Sequence, residues 1–110
     1  MAADYYTADT ENGDHLDDPS EDGLFMLLSD LNQAGNTFIT ITPADDDPTW
    51  YASVTLLTDG TYDVERGDPA HSEQHHDIAT SPDDIARDLT IWLTGRDYPG
   101  RSASRSDTDL

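Results

Sequence analysis

Cysteine and lysine are both missing from this 110-residue chain. Without cysteine there is no disulfide, no thiolate metal site and no cysteine nucleophile. Without lysine, five arginines face 24 aspartates and glutamates, and the formal net charge is −19. A surface so poor in cations cannot displace the counterions of DNA or RNA, and anionic membranes repel it. Long apolar runs are missing too. The longest, Leu24 to Leu28, falls far short of the roughly 20 residues of a membrane-spanning helix. The start, Met1-Ala2-Ala3-Asp4-Tyr5-Tyr6, has no basic stretch followed by an apolar one, so no signal peptide is expected and the default location is the cytoplasm.

What is abundant is acid. Net charge of this size attracts basic proteins and speeds their association. It also keeps a protein soluble, and it suits a salt-adapted host. Richness in Asp, Ala and Thr without Lys further fits a GC-rich coding bias, which carries no function. The length fits one domain. Its ends are poor in packing material. The expected organisation is a flexible acidic arm over 1–17, a single α+β domain over 18–98 and a disordered tail over 99–110. A core this small implies a stability on the order of 5 kcal/mol.

Asp18-Pro19-Ser20-Glu21 predicts a helix start, with Asp18 as cap, Pro19 in the first turn and Glu21 completing a capping box. Leu24, Leu27, Leu28 and Leu31 then share one helical face, and Gly35 suggests a stop, giving a helix over 19–34. Residues 37–42 are β-branched and aromatic and predict a strand. An acidic turn with Asp45, Asp46 and Asp47 follows. A second strand over 50–57 points Trp50, Ala52, Val54 and Leu56 one way, and Tyr51, Ser53, Thr55 and Leu57 the other. Asp59-Gly60 is a hairpin signal. A third strand over 61–66 places Tyr62 and Val64 opposite Asp63 and Glu65. Residues 73–79 suggest a polar edge strand whose charges discourage aggregation. Ser81-Pro82-Asp83-Asp84 repeats the helix signal, and Ile85, Leu89, Trp92 and Leu93 form its stripe before Gly95, giving a helix over 82–94. The fold class that satisfies every stripe is α+β. It is an antiparallel meander of three to four strands, with an N-terminal and a C-terminal helix packed on one face.

Chemistry-bearing patterns are sparse. His71, Glu73 and His75 alternate and could hold zinc if they share one strand face, but a solvated, polar edge strand is the better account of them, and no metal or cofactor is expected. The three consecutive aspartates lack the alternating spacing of a calcium loop. There is no Gly-x-Ser-x-Gly and no glycine-rich phosphate loop. Carboxylate pairs, though able to do acid–base work, are uninformative among 24 acids. Trp50 and Trp92 lie on core-facing stripes and read as packing. Tyr51 and Leu57 lie on the opposite face. Left uncovered, that face is an aromatic and aliphatic patch ringed by acids, as a binding module presents. The alternative is that the N-terminal arm covers it.

Residues 36–95 resemble the Imm1 group of bacterial immunity proteins, which neutralise polymorphic toxins. The resemblance lies in Asn36-Thr37-Phe38-Ile39-Thr40-Ile41, in Asp59-Gly60-Thr61-Tyr62-Asp63-Val64-Glu65, and in Gln74-His75-His76. It continues in Ser81-Pro82-Asp83-Asp84-Ile85-Ala86-Arg87-Asp88-Leu89 and Trp92-Leu93-Thr94-Gly95. It implies a protein without enzymatic activity that binds and blocks a cognate toxin, often one acting on nucleic acid. The charge would steer such a protein into the toxin's basic groove and exclude the substrate. The free protein is expected to be a monomer. Asp59, Tyr62, Asp63 and Glu65, together with Tyr51, are the expected partner-binding residues. The runner-up is an acidic DNA mimic or adaptor that binds a nucleic-acid-binding protein. A secretion-associated or chaperone-like module and an enzyme rank below it.

Overall fold

A computed structural model describes residues 5–44 and 48–96. The order is β1 (Tyr6–Thr10), β2 (His15–Asp17), α1 (Glu21–Ser29), β3 (Phe38–Pro43), β4 (Tyr51–Leu56), β5 (Tyr62–Asp68), a 3₁₀ turn (Pro69–His71), β6 (Glu73–Ala79) and α2 (Pro82–Thr94). The strands form one antiparallel sheet of six in the order β2-β1-β3-β4-β5-β6. The expected three to four strands are therefore too few, and the first helix is preceded by a hairpin rather than opening the domain. The acidic turn at 45–47 and the tail at 99–110 lie outside the described residues.

The stretch expected as a flexible arm pairs into the sheet from Tyr6 onward. Ala8 sits opposite Ile41 and Leu16 opposite Ala8. This pairing escapes a reading of hydrophobic pattern because the inward residues of β1 beyond Tyr6 are small or polar. Ala8 is fully buried, and Thr10 is buried with its hydroxyl bonded to Asn12 Oδ1. The connecting turn uses Gly13 at a φ of 98°, in the left-handed region open to glycine.

Asp18 does not cap α1. Its backbone takes a φ of 48°, and its carboxylate accepts the N–H groups of Tyr5 and Tyr6 at 2.7 and 3.1 Å. Ser20 caps instead, its hydroxyl accepting from Gly23 N. The helix also ends at Ser29, well before Gly35. Here the side chain of Asn32 accepts from Ala34 N at 2.8 Å, and buried Asn36 donates to the Asp30 carbonyl at 3.2 Å. Asparagine amides thus bond the backbone that another helical turn would have used. α2 keeps its expected bounds, with Ser81 at its N-cap and Gly95 at its C-cap.

One core joins the layers. Ala8, Ile39, Ile41, Ala52, Val54 and Val64 line one sheet face and pack against Leu24, Leu27, Leu28, Ile85, Leu89 and Leu93 of the helices. Trp50 is at its centre, edge-on to Tyr6 at 6.4 Å and to Trp92 at 5.8 Å. Among the described residues, no helix lies on the other sheet face.

An acidic open sheet face as candidate functional site

The register places a row of residues straight across all six strands on that open face. His15 stands opposite Asp9, Asp9 opposite Thr40, Thr40 opposite Ser53, Ser53 opposite Glu65, and Glu65 opposite His76. A neighbouring row runs Phe38, Thr55, Asp63, Ile78. The surface therefore has a middle of hydroxyl groups, carboxylates on either flank, and Phe38 and Ile78 exposed within it. The described part of the arm, from Tyr5 onward, does not cover this face; it lengthens it.

Of the residues expected to bind a partner, the structure brings three together. Tyr51, Asp63 and Glu65 lie on the open face. The Tyr51 hydroxyl donates to Glu65 Oε2 at 2.7 Å, and Gln74 Nε2 reaches both oxygens at 3.3 Å. The Tyr51 ring lies across Gly67, where a Cβ would overlap it, so only glycine permits this approach. His76 Nε2 is 2.5 Å from Asp63 Oδ1 without the angle of a hydrogen bond, and that buried oxygen accepts none. Asp59 sits at the β4–β5 turn beside Gly60, which has a φ of 88°. Hydrogen bonds to its carboxylate from the Thr61 side chain and then the Thr61 N–H hold it below the usual aspartate range. Tyr62 stands apart. It pairs with Leu56 and Ala79 and packs against the core on the helix side.

Asp9, His15 and Asp17 were missed because no periodic signal marked their strands. His15 Nδ1 lies 2.6 Å from Asp9 and Nε2 lies 2.7 Å from Asp17. These hydrogen bonds, that to Asp9 first, raise the His15 pKa above its ordinary value. A raised folded-state pKa means the clamp helps fully below the ordinary histidine range and is lost as pH rises through the folded value. Histidine NMR titration is expected to find His15 titrating above 6.5, with faster amide exchange in β2 at alkaline pH. In Asp9→Asn the midpoint should fall. An unshifted His15 in the parent protein would contradict the clamp.

The arginines lie elsewhere. Arg66 pairs in register with Ala52, on the helix side, and bonds Asp77. Arg87 bonds Asp84 on α2. Arg96 is enclosed by Asp68 and Glu73 at 2.5 and 3.0 Å. Among the described residues, no arginine lies on the open face.

The expected zinc pattern has a different arrangement. His71 is in the 3₁₀ turn rather than on the strand, and it joins Asp68 and Glu73, with ligand atoms within 4.8 Å of one another. His75 Nε2 lies 3.6 Å from Glu73. The Arg96 guanidinium already occupies the space between Asp68 and Glu73 and lies 4.3 Å over the Trp92 ring. Trp92 Nε1 donates to Glu73 at 3.0 Å, and this bond, followed by that from Arg96, lowers the Glu73 pKa. The cluster ties the end of α2 to the β5–β6 connection. Elsewhere, a cavity of about 70 Å³ lined by Val64, Arg66, Asp77, Ala79, Ile85 and Leu89 lies between β5, β6 and α2, well below the ~300 Å³ of ordinary small-molecule sites.

No helix among the described residues is long and apolar enough to cross a membrane. No family model, immunity families included, matches the chain, and no curated protein or solved structure is significantly similar to it.

Proposed function

We propose that this chain binds and blocks a basic protein through its open sheet face, as an immunity protein neutralises a toxin. One observation carries the reading. The described arginines are all on the helix side or beyond it, while Asp9, Asp17, Asp63 and Glu65 line the face that no helix covers. The helix layer is acidic as well, with Glu21, Asp22, Asp83, Asp84 and Asp88 exposed, but the described arginines lie among its acids, whereas the open face presents carboxylates with no arginine beside them. A basic substrate groove is drawn to so acidic a protein, which raises the encounter rate, and can seat on the open face without meeting an arginine. Once seated, a groove filled by protein carboxylates cannot hold nucleic acid. The hydroxyl row and exposed Phe38 and Ile78 supply hydrogen bonds and apolar contact within the acidic rim.

The test is co-expression of the product of the neighbouring gene with and without this chain. Toxicity that disappears only when the chain is present supports the reading. An adjacent product that is harmless, or toxicity that persists, ends it, and capture of a host DNA-binding protein would favour a DNA mimic. With the partner in hand, added salt should slow association steeply and change dissociation less, because steering acts over a Debye length of about 8–10 Å. Asp63→Asn with Glu65→Gln should lower the association rate. An acid fully enclosed against a partner arginine should cost on the order of 2–5 kcal/mol when neutralised.

A further inference from the structure

The two edges of the sheet are unequal. β2 offers three residues, whereas β6 offers seven, Glu73 to Ala79, and residues 74–78 are all exposed. An edge strand of this length presents a row of backbone donors and acceptors suited to another strand. Its charges deter random pairing, but they fit one arrangement well.

A two-fold axis perpendicular to a sheet pairs an edge strand with its own copy, antiparallel, and opposed residues then share a face. Centred on His76, the register matches all seven residues. His75 then stands opposite Asp77 of the second copy, and Asp77 opposite its His75. Imidazole and carboxylate hydrogen-bond whether or not the imidazole is charged. Gln74 stands opposite Ile78, whose exposed side chain gains cover, and Glu73 opposite Ala79. Shifting the centre to His75 sets Glu73 against Asp77. Shifting it to Asp77 sets Asp77 against itself. Like charges directly opposite are unfavourable, so both shifts lose the two complementary pairs and gain repulsion.

From this register we infer that β6 is a self-association edge, joining two copies into one continuous sheet of twelve strands. The axis keeps both helix layers on the same side. The two open acidic faces therefore become one broad surface, with the His76 pair at its middle. The pairing uses the backbone edge of β6, whose Gln74, His76 and Ile78 also stand on the open face, and its test requires no toxin.

The absence of cysteine from the chain makes the test clean. Opposed antiparallel residues have Cα atoms about 4.5–5.5 Å apart, within disulfide reach of about 4.4–6.8 Å. Under mild oxidation, His76→Cys should form a covalent dimer rapidly. Gln74→Cys and Ile78→Cys should each stay largely monomeric, and the double variant Q74C/I78C should cross-link. All three positions are exposed, and circular dichroism checks that each variant is folded. The parent protein, followed by sedimentation from micromolar to millimolar concentration, should dimerise more strongly as salt screens the repulsion between copies. His75→Asp or Asp77→His alone should weaken association by roughly 2- to 30-fold, from two cross-strand pairs, and the exchange H75D/D77H should restore it. A parent protein monomeric at every concentration in high salt overturns the inference. So does cross-linking at 74 or 78 alone as fast as at 76.

Discussion

Trp50→Ala is expected to leave little folded protein at room temperature. Trp50 is 2% exposed, and its ring meets Tyr6 on one side and Trp92 on the other. It thereby joins the β1 end of the sheet to the last turns of α2. Truncating a buried tryptophan costs about 3–5 kcal/mol, and the whole domain has on the order of 5 kcal/mol to lose. Leu89→Ala, buried on α2 but joining fewer layers, should cost less, about 2–4 kcal/mol. Urea denaturation followed by circular dichroism measures both. A Trp50→Ala protein with nearly the parent midpoint would mean that the aromatic trio does not hold these elements together.

Arg96→Ala should be comparably damaging for a different reason. Asp68 is 2% exposed and receives the Arg96 guanidinium, with Glu73 beside it. Removing the cation leaves a buried carboxylate next to another carboxylate. Breaking one partner out of a buried pair costs about 3–5 kcal/mol, whereas replacing the whole pair by neutral groups costs far less. The discriminating measurement is a double-mutant cycle by chemical denaturation. Asp68→Asn combined with Arg96→Ala should be clearly more stable than the sum of the single losses allows. Simple additivity would show that the enclosed cation is not what stabilises this corner.

These two sites differ in how far they could be read from the chain. Trp50 was legible as core because it alternates with Ala52 and Val54 on a strand. Arg96 was not, since a lone arginine after a helix gives no local sign of its carboxylates, which lie 28 and 23 residues away. The same contrast holds for the open face. Tyr51, Asp63 and Glu65 could be assigned to one side by alternation alone. Nothing local joined them to His15 and Asp9, which reach that surface only because β1 pairs with β3.

What the sequence determined by itself was whatever a few neighbouring residues decide. The cap at Ser81 and stop at Gly95 bound α2. The Asp59-Gly60 turn sets the β4–β5 register, and the polar run at 73–79 marks an edge. Such features depend on backbone propensity and on side chains within a turn of one another. The tertiary structure decided the rest. Asp18 spends its carboxylate on Tyr5 and Tyr6 rather than on a helix cap. The short strands β1 and β2 exist because β3 offers them an edge with Ile41 and Ile39 to bury Ala8 and Thr10 against. A five-residue strand of small and polar side chains has too little apolar area to declare itself. Only a partner strand distant in sequence supplies the hydrogen bonds and the burial that make it one.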